Sequence, residues 1–227
     1  MHFGTPRRRR GALALTLATV LAVGVTACGS GDGGGQGDGG TPAVEVSGAA
    51  DASKATVLDN PFDKPDLVLT NTEGEEYSLV EETAGKPTLL FFGYTNCPDV
   101  CPLTMGNIAL AESQLTPEQQ DELQVVFVTT DPERDTPKEL GTWLQGVVPG
   151  AVGLTGDFPT IQAGARTLGI SVEPSTVRED GEIESVHGSQ VVYFSPEDDK
   201  ARVVYTEDVP LATYEKDLPK LVEGKLP

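Results

Sequence analysis

The 227-residue chain reads as an α/β fold with a mixed central sheet and flanking helices, and three observations carry that reading. Thr88-Leu89-Leu90-Phe91-Phe92 and the run at 123–130, Leu-Gln-Val-Val-Phe-Val-Thr-Thr, have the apolar continuity of strands buried on both faces. Between them Cys101, Met105, Ile108, Ala111 and Leu115 recur at spacings of three and four, which defines a helix with one apolar face. Near the end, apolar runs at 191–194 and 202–205 flank an acidic turn at 197–199, the pattern of a closing β-hairpin.

Taken in order, the chain opens with Arg7, Arg8, Arg9 and Arg10 and an apolar run over 11–25. That run is short for a membrane span and has the length of a signal-peptide core. It ends in Thr26-Ala27-Cys28, which resembles a bacterial lipobox, so residues 1–27 are expected to be a lipoprotein signal peptide with Cys28 lipidated. The arginines leave the export route, general secretory or twin-arginine, open. Eight of the twelve residues at 29–40 are Gly, and small or polar residues continue beyond them, so 28–57 is expected to be a flexible tether. Its random-coil span is about 30 Å, on the order of 5–6 Å times the square root of its length. Residues 58–227 have the size of one domain.

Within that domain, residues 67–70 and 77–79 around Gly74 predict an N-terminal β-hairpin. The strand at 88–92 leads into the Cys-containing turn and its helix, and the strand at 123–130 follows. Thr136-Pro137-Lys138-Glu139 has the form of a capping box with Pro at N1, starting a helix through Trp143 and Leu144. Residues 158–168 predict a third helix, with Ile161, Ala165 and Leu168 inward. Leu211, Tyr214, Leu218 and Leu221 mark a C-terminal helix that Pro219 should kink or end. A Cys-containing strand-to-helix turn in this order looks like a thioredoxin-type fold. In open α/β sheets, functional groups gather beyond the carboxyl ends of the parallel strands, where both the cysteine loop and the Asp131 loop begin.

The formal net charge is −19, and removal of the four leader arginines with no acid makes the rest more acidic still. Such a chain is not expected to bind nucleic acid through phosphates. A solvated surface is the ordinary consequence.

Beyond the leader, Cys97, Cys101 and His187 are the thiols and imidazole of the domain, with Met105 the one thioether. Two thiolates and an imidazole suit copper, Cu(I) in particular; the thiols alone would make a redox pair. Cys97 and Cys101 lie about one helical turn apart at a helix start, where free N–H groups and the dipole favour thiolate. A structural disulfide is the plain alternative in an exported protein, but a strand-to-helix turn between two prolines is not a core face. Met105 falls on the apolar helix face and is expected in the core. Asp131 and Asp135 read first as ordinary strand-exit and helix-start residues.

The blocks Phe91-Phe92-Gly93-Tyr94-Thr95-Asn96-Cys97-Pro98-Asp99-Val100-Cys101-Pro102 and Asp131-Pro132-Glu133-Arg134-Asp135-Thr136-Pro137, then His187 before a strand, resemble the Sco/SenC family. The resemblance covers the domain from about residue 67 onward. It implies one copper held by Cys97, Cys101 and His187, and a role in preparing the dinuclear copper centre in subunit II of cytochrome c oxidase. It also implies a part for Asp131 and Asp135 behind the ligands or in docking. The family often has an acidic residue just before this histidine, where Val186 stands here.

Three functions compete. The first is a membrane-anchored copper chaperone on the outer face of the cytoplasmic membrane. It would be a binding protein rather than an enzyme, expected to be monomeric, with another copper chaperone as a candidate donor. The second is a thiol–disulfide oxidoreductase that keeps the oxidase's copper-ligand cysteines reduced, although its cysteines are separated by three residues where thioredoxins have two. The third, a peroxiredoxin-like peroxidase, lacks the expected Thr and Arg beside its thiolate. His187 discriminates the first two: metal binding needs it and thiol exchange does not.

Overall fold

A computed structural model describes residues 54–177, 183–207 and 209–227. The expected signal peptide, Cys28 and nearly all of the tether lie outside the described residues. In chain order the elements are β1 (Thr56–Asp63), β2 (Val68–Asn71), β3 (Glu76–Ser78), α1 (Leu79–Glu82), β4 (Thr88–Gly93), α2 (Val100–Glu112), α3 (Pro117–Glu122) and β5 (Gln124–Thr129). They continue with α4 (Pro137–Val147), β6 (Val152–Thr155), α5 (Phe158–Thr167), β7 (Thr176–Val177), β8 (Ile183–Glu184), β9 (Val191–Phe194), β10 (Lys200–Tyr205) and α6 (Leu211–Val222).

Eight strands form one sheet in the order β1-β10-β9-β4-β5-β6-β2-β3, while β7 and β8 pair apart from it. β4, β5 and β6 run parallel, and β9 lies antiparallel against the other side of β4. The mixed sheet expected from the apolar runs is therefore present, with β4 and β5 buried at its centre.

Strand alternation splits the core into two layers. Leu89 and Phe91 of β4 face a layer built with Met105 and Ile108 of α2, Leu140 and Leu144 of α4, and Leu218 and Leu221 of α6. Leu90 and Phe92 face the opposite layer, with Ile161 and Ala165 of α5. Met105 is fully buried, as its helical spacing required.

Several elements differ from the sequence reading. β1 opens at Thr56 and pairs with β10; its Asp59-Asn60-Pro61 stretch hides it, because those residues disfavour strands. Pro61 is tolerated since β1 is an edge strand whose register shifts between Val57 and Phe62. Leu79 begins α1 rather than ending a strand, because Ser78 caps a helix there. Thr136 caps α4 by accepting from Glu139 N at 3.4 Å, which is half of a capping box. The reciprocal box sits at Thr116 and Gln119 of α3, an element without an apolar stripe to announce it. Pro219 does not end α6, which runs on to Val222 with Leu218 and Leu221 buried on either side.

Beyond the amino end of β4, Lys64 is buried. Its Nζ donates to the carbonyl and hydroxyl of Thr83, each at 2.9 Å, and to Asp199 at 2.7 Å. One ammonium thus ties the β1–β2 connection to the end of α1 and to the β9–β10 turn.

Candidate metal centre

The site begins where β4 ends. A Cβ on Gly93 would lie 2.6 Å from the Phe91 ring and 3.0 Å from that of Phe127, so only glycine fits the strand's last position. The chain then turns, with Cys97 N donating to the Tyr94 carbonyl at 3.2 Å. Asp99 caps α2, its Oδ1 accepting from Val100 N at 2.6 Å. Cys101 is the second residue of α2 and is fully buried, whereas Cys97 is half-buried.

His187 reaches the same place from another part of the sheet. Its segment pairs with the stretch after α5: Glu173 N donates to Val186 O at 2.9 Å, and Gly188 N to Ser171 O at 2.8 Å. Nδ1 lies 3.0 Å from the Gly188 carbonyl. A carbonyl only accepts, so Nδ1 donates to it, and Nε2 is the ring nitrogen turned toward the thiols. Nε2 stands 3.8 Å from Cys101 Sγ. The imidazole is edged by Tyr94, at 5.5 Å between centroids, and by Phe91, at 6.3 Å.

The two thiols are unlike. Cys97 is pulled down to about 4, first by the hydrogen bond from the Cys101 thiol, against the opposing cost of burial, then by His187 and by backbone N–H groups at the start of α2. Cys101 N donates to Cys97 Sγ at 3.4 Å, one visible part of that stabilisation. The Cys101 thiol is pushed well above its ordinary range, first by sharing its proton with Cys97 and then by burial. The resting pair is a thiolate at the surface and a thiol beneath it, with no disulfide between them.

Two carboxylates brace the site from the loop after β5. Asp135 is fully buried and accepts from Thr95 N at 3.0 Å, Thr95 Oγ1 at 2.6 Å and Thr129 Oγ1 at 2.6 Å. It does not cap α4, which Thr136 does; it fastens the cysteine loop to the end of β5. Asp131 accepts from Arg134 Nε, and the Arg134 guanidinium lies 6.0 Å from the centroid of the Tyr94 ring. Asp131 is thereby linked through Arg134 to Tyr94, whose ring edges His187.

Cys97, His187, Tyr94, Asp99, Ser189 and Glu207 line a shallow cavity of about 240 Å³, with Cys101 behind it. A larger cavity of about 740 Å³ lies between the β2–β3 turn and α4 and carries neither thiol nor imidazole. The chemistry therefore belongs to the smaller one.

The donor set fits a soft ion. Metal–sulfur and metal–nitrogen bonds of about 2.3 and 2.0 Å at a trigonal angle would put S and N about 3.7 Å apart, close to the 3.8 Å between Cys101 Sγ and His187 Nε2. As the side chains stand, no three His, Cys, Asp or Glu groups among the described residues close a coordination shell.

The sequence singled out Cys97, Cys101 and His187, and the structure brings all three together, with Asp131 and Asp135 behind them. Cys28 lies outside the described residues. Tyr94 and Thr95 sit inside the motif yet drew no separate role, and Arg134 likewise. Ser189 and Glu207 have no local signal, because only the sheet brings their loops to the cavity.

A parallel-stranded sheet edged by antiparallel strands, with a dithiol–imidazole site at a strand-to-helix turn, defines a thioredoxin-like soft-metal or thiol protein. The family model SCO1/SenC matches residues 53–223, and the chain belongs to that family. A Stutzerimonas stutzeri protein named for copper binding is 34% identical over 69% of this chain and 76% of its own. Mitochondrial SCO2 of Saccharomyces cerevisiae is 32% identical over 53% of this chain but only 39% of its own length. Among solved structures, apo Sco1 of Thermus thermophilus is 30% identical with a TM-score of 0.63, covering 78% of this chain and 97% of its own. Copper-bound ScoI of Bradyrhizobium japonicum is 26% identical with a TM-score of 0.59, covering 71% and 98%. These neighbours establish the thioredoxin-like fold.

Proposed function

We propose that this protein is an extracytoplasmic copper carrier, held to the outer face of the cytoplasmic membrane by a lipid on Cys28. Its cargo is one copper ion bound by Cys97, Cys101 and His187, bound for the dinuclear centre of cytochrome c oxidase subunit II. The observation that carries this reading is the 3.8 Å approach of His187 Nε2 to Cys101 Sγ, with Cys97 facing the same imidazole across an open cavity. An imidazole at that distance supplies the third donor that a metal requires and that thiol exchange can proceed without. The copper named or bound in the family's relatives supports the choice of metal.

The arrangement also suits release. Cys97 and His187 face solvent and Cys101 does not, so an acceptor's thiolate meets the ion from the Cys97–His187 side. Cys101 is then the donor expected to let go last. Binding needs both thiols deprotonated and a neutral imidazole, so copper uptake displaces the proton held at Cys101.

The inequivalence of the cysteines favours a second reading, disulfide reduction. Cys97 thiolate would attack a substrate disulfide, forming a mixed disulfide and releasing one substrate thiolate. Cys101, losing its proton, would then attack Cys97 sulfur, close the Cys97–Cys101 disulfide and free the second thiol. Two electrons pass to the substrate.

Copper stoichiometry separates the readings. The reduced protein should bind one copper and the Cys97–Cys101 disulfide form almost none. His187→Ala should weaken Cu(II) far more than Cu(I), because a two-coordinate bis-thiolate suits only the cuprous ion. Reduction of a model disulfide should change only modestly, since the Cys101 thiol and the backbone N–H groups that hold the Cys97 thiolate remain. Equal copper uptake by oxidised and reduced protein would overturn the carrier reading. Normal oxidase assembly at limiting copper with His187→Ala would favour the reductase.

A further inference from the structure

The residue before His187 is Val186, apolar and 55% exposed, so no carboxylate reaches the site from that position. One arrives from elsewhere. Glu207, in the loop after β10, lines the cavity with Cys97 and His187. Its Oε2 accepts a 2.6 Å hydrogen bond from Ser189 Oγ. Ser189 also lines the cavity and is two residues past His187, so its hydroxyl fixes the carboxylate to the segment that carries the imidazole. The other carboxylate at the cavity, Asp99, uses one oxygen to cap α2, accepting from Val100 N at 2.6 Å.

A carboxylate oxygen is a hard donor, which favours a cupric ion over a cuprous one. Charge acts in the same direction. Two thiolates neutralise Cu(II) but leave Cu(I) with a surplus negative charge, so a nearby carboxylate is drawn to the divalent ion and opposed by the monovalent site.

We propose that Glu207, held by Ser189, sets the oxidation-state preference of the site by supplying negative charge and an oxygen donor to Cu(II). This inference rests on Cys97, Cys101 and His187 being the copper ligands. Only Glu207 and Ser189 are needed to test it, and neither belongs to that ligand set.

The test uses the full-length reduced protein and its Glu207→Gln and Ser189→Ala variants, each loaded with Cu(I) or Cu(II). In Glu207→Gln, Cu(II) affinity should fall about tenfold, at the lower end of what outer partners of metal ligands contribute. Cu(I) affinity should stay within about twofold. That differential raises the copper reduction potential by about 59 mV, and the Cu(II) electron paramagnetic resonance spectrum should change with it. Ser189→Ala should shift the ratio the same way by less. An unchanged Cu(II)-to-Cu(I) affinity ratio in Glu207→Gln, or equal loss of both ions, overturns the proposal. Wild-type protein that takes no copper overturns the ligand reading instead, a result distinct from an unshifted ratio on loaded wild type.

Discussion

At the scale of single residues, Asp135 is the clearest case of a group that acts by holding others. Its carboxylate is fully buried and collects three donors, two of them from Thr95, which lies two residues before Cys97. Asp135→Ala leaves those donors unpaired in the interior and should cost roughly 2–4 kcal/mol, since each lost bond to a buried charge is worth about 1.5–3 kcal/mol and some relaxation follows. Chemical denaturation measures that loss. The same variant should release the cysteine loop, so alkylation of Cys97 should change in rate as well. Unaltered alkylation with lowered stability would mean that Asp135 braces the fold and not the site. The proposed metal donors are legible in the sequence, because two thiols sit in one contiguous motif and the domain has a single imidazole. The role of Asp135 is not, because its partner is 40 residues away and the sequence places it beside a helix start.

At the scale of elements, α6 packs an acid into the core. Asp217 is 2% exposed, and its Oδ1 makes no hydrogen bond, with Lys220 Nζ standing off at 4.0 Å. Burial raises its carboxyl above the ordinary value of 3.8, with Lys216 and Lys220 pulling the other way. The fold therefore holds this proton more tightly than the unfolded chain does. Stability should fall as pH rises from about the ordinary carboxylate value through the raised one, and the cost persists at neutral pH. Asp217→Asn should unfold at a higher temperature than wild type at pH 7, with the difference shrinking toward pH 3. A variant less stable than wild type at pH 7 would show that Lys220 more than offsets the burial. Helices with an apolar stripe, α2, α5 and α6 among them, could be placed from spacing alone. β1, α3 and the β7–β8 pair could not, because an edge strand, a polar helix and a two-residue ribbon bury too little to leave a pattern.

At the scale of the whole molecule, the proposed function places a lipid on Cys28, ahead of the glycine-rich stretch. No helix among the described residues is long and apolar enough to cross a membrane. Cys28→Ala should release unprocessed or soluble protein without altering copper uptake by the proposed ligands Cys97, Cys101 and His187. Membrane partitioning and processing that survive the substitution would refute the lipoprotein assignment.

The position of β9 in the sheet has a consequence for biogenesis. β4, which leads into the thiols, is flanked on one side by β5 and on the other by β9, the strand that follows His187. His187 is 86 residues after Cys101, so the thiols leave the ribosome well before the imidazole does. Until β9 inserts between β4 and β10, the nascent domain presents a bare dithiol and an open strand edge, with no third donor at hand. On the proposed ligand set, capture of a metal by all three donors is thereby deferred until synthesis is nearly complete, and a chain stalled before β9 would hold a dithiol without its imidazole.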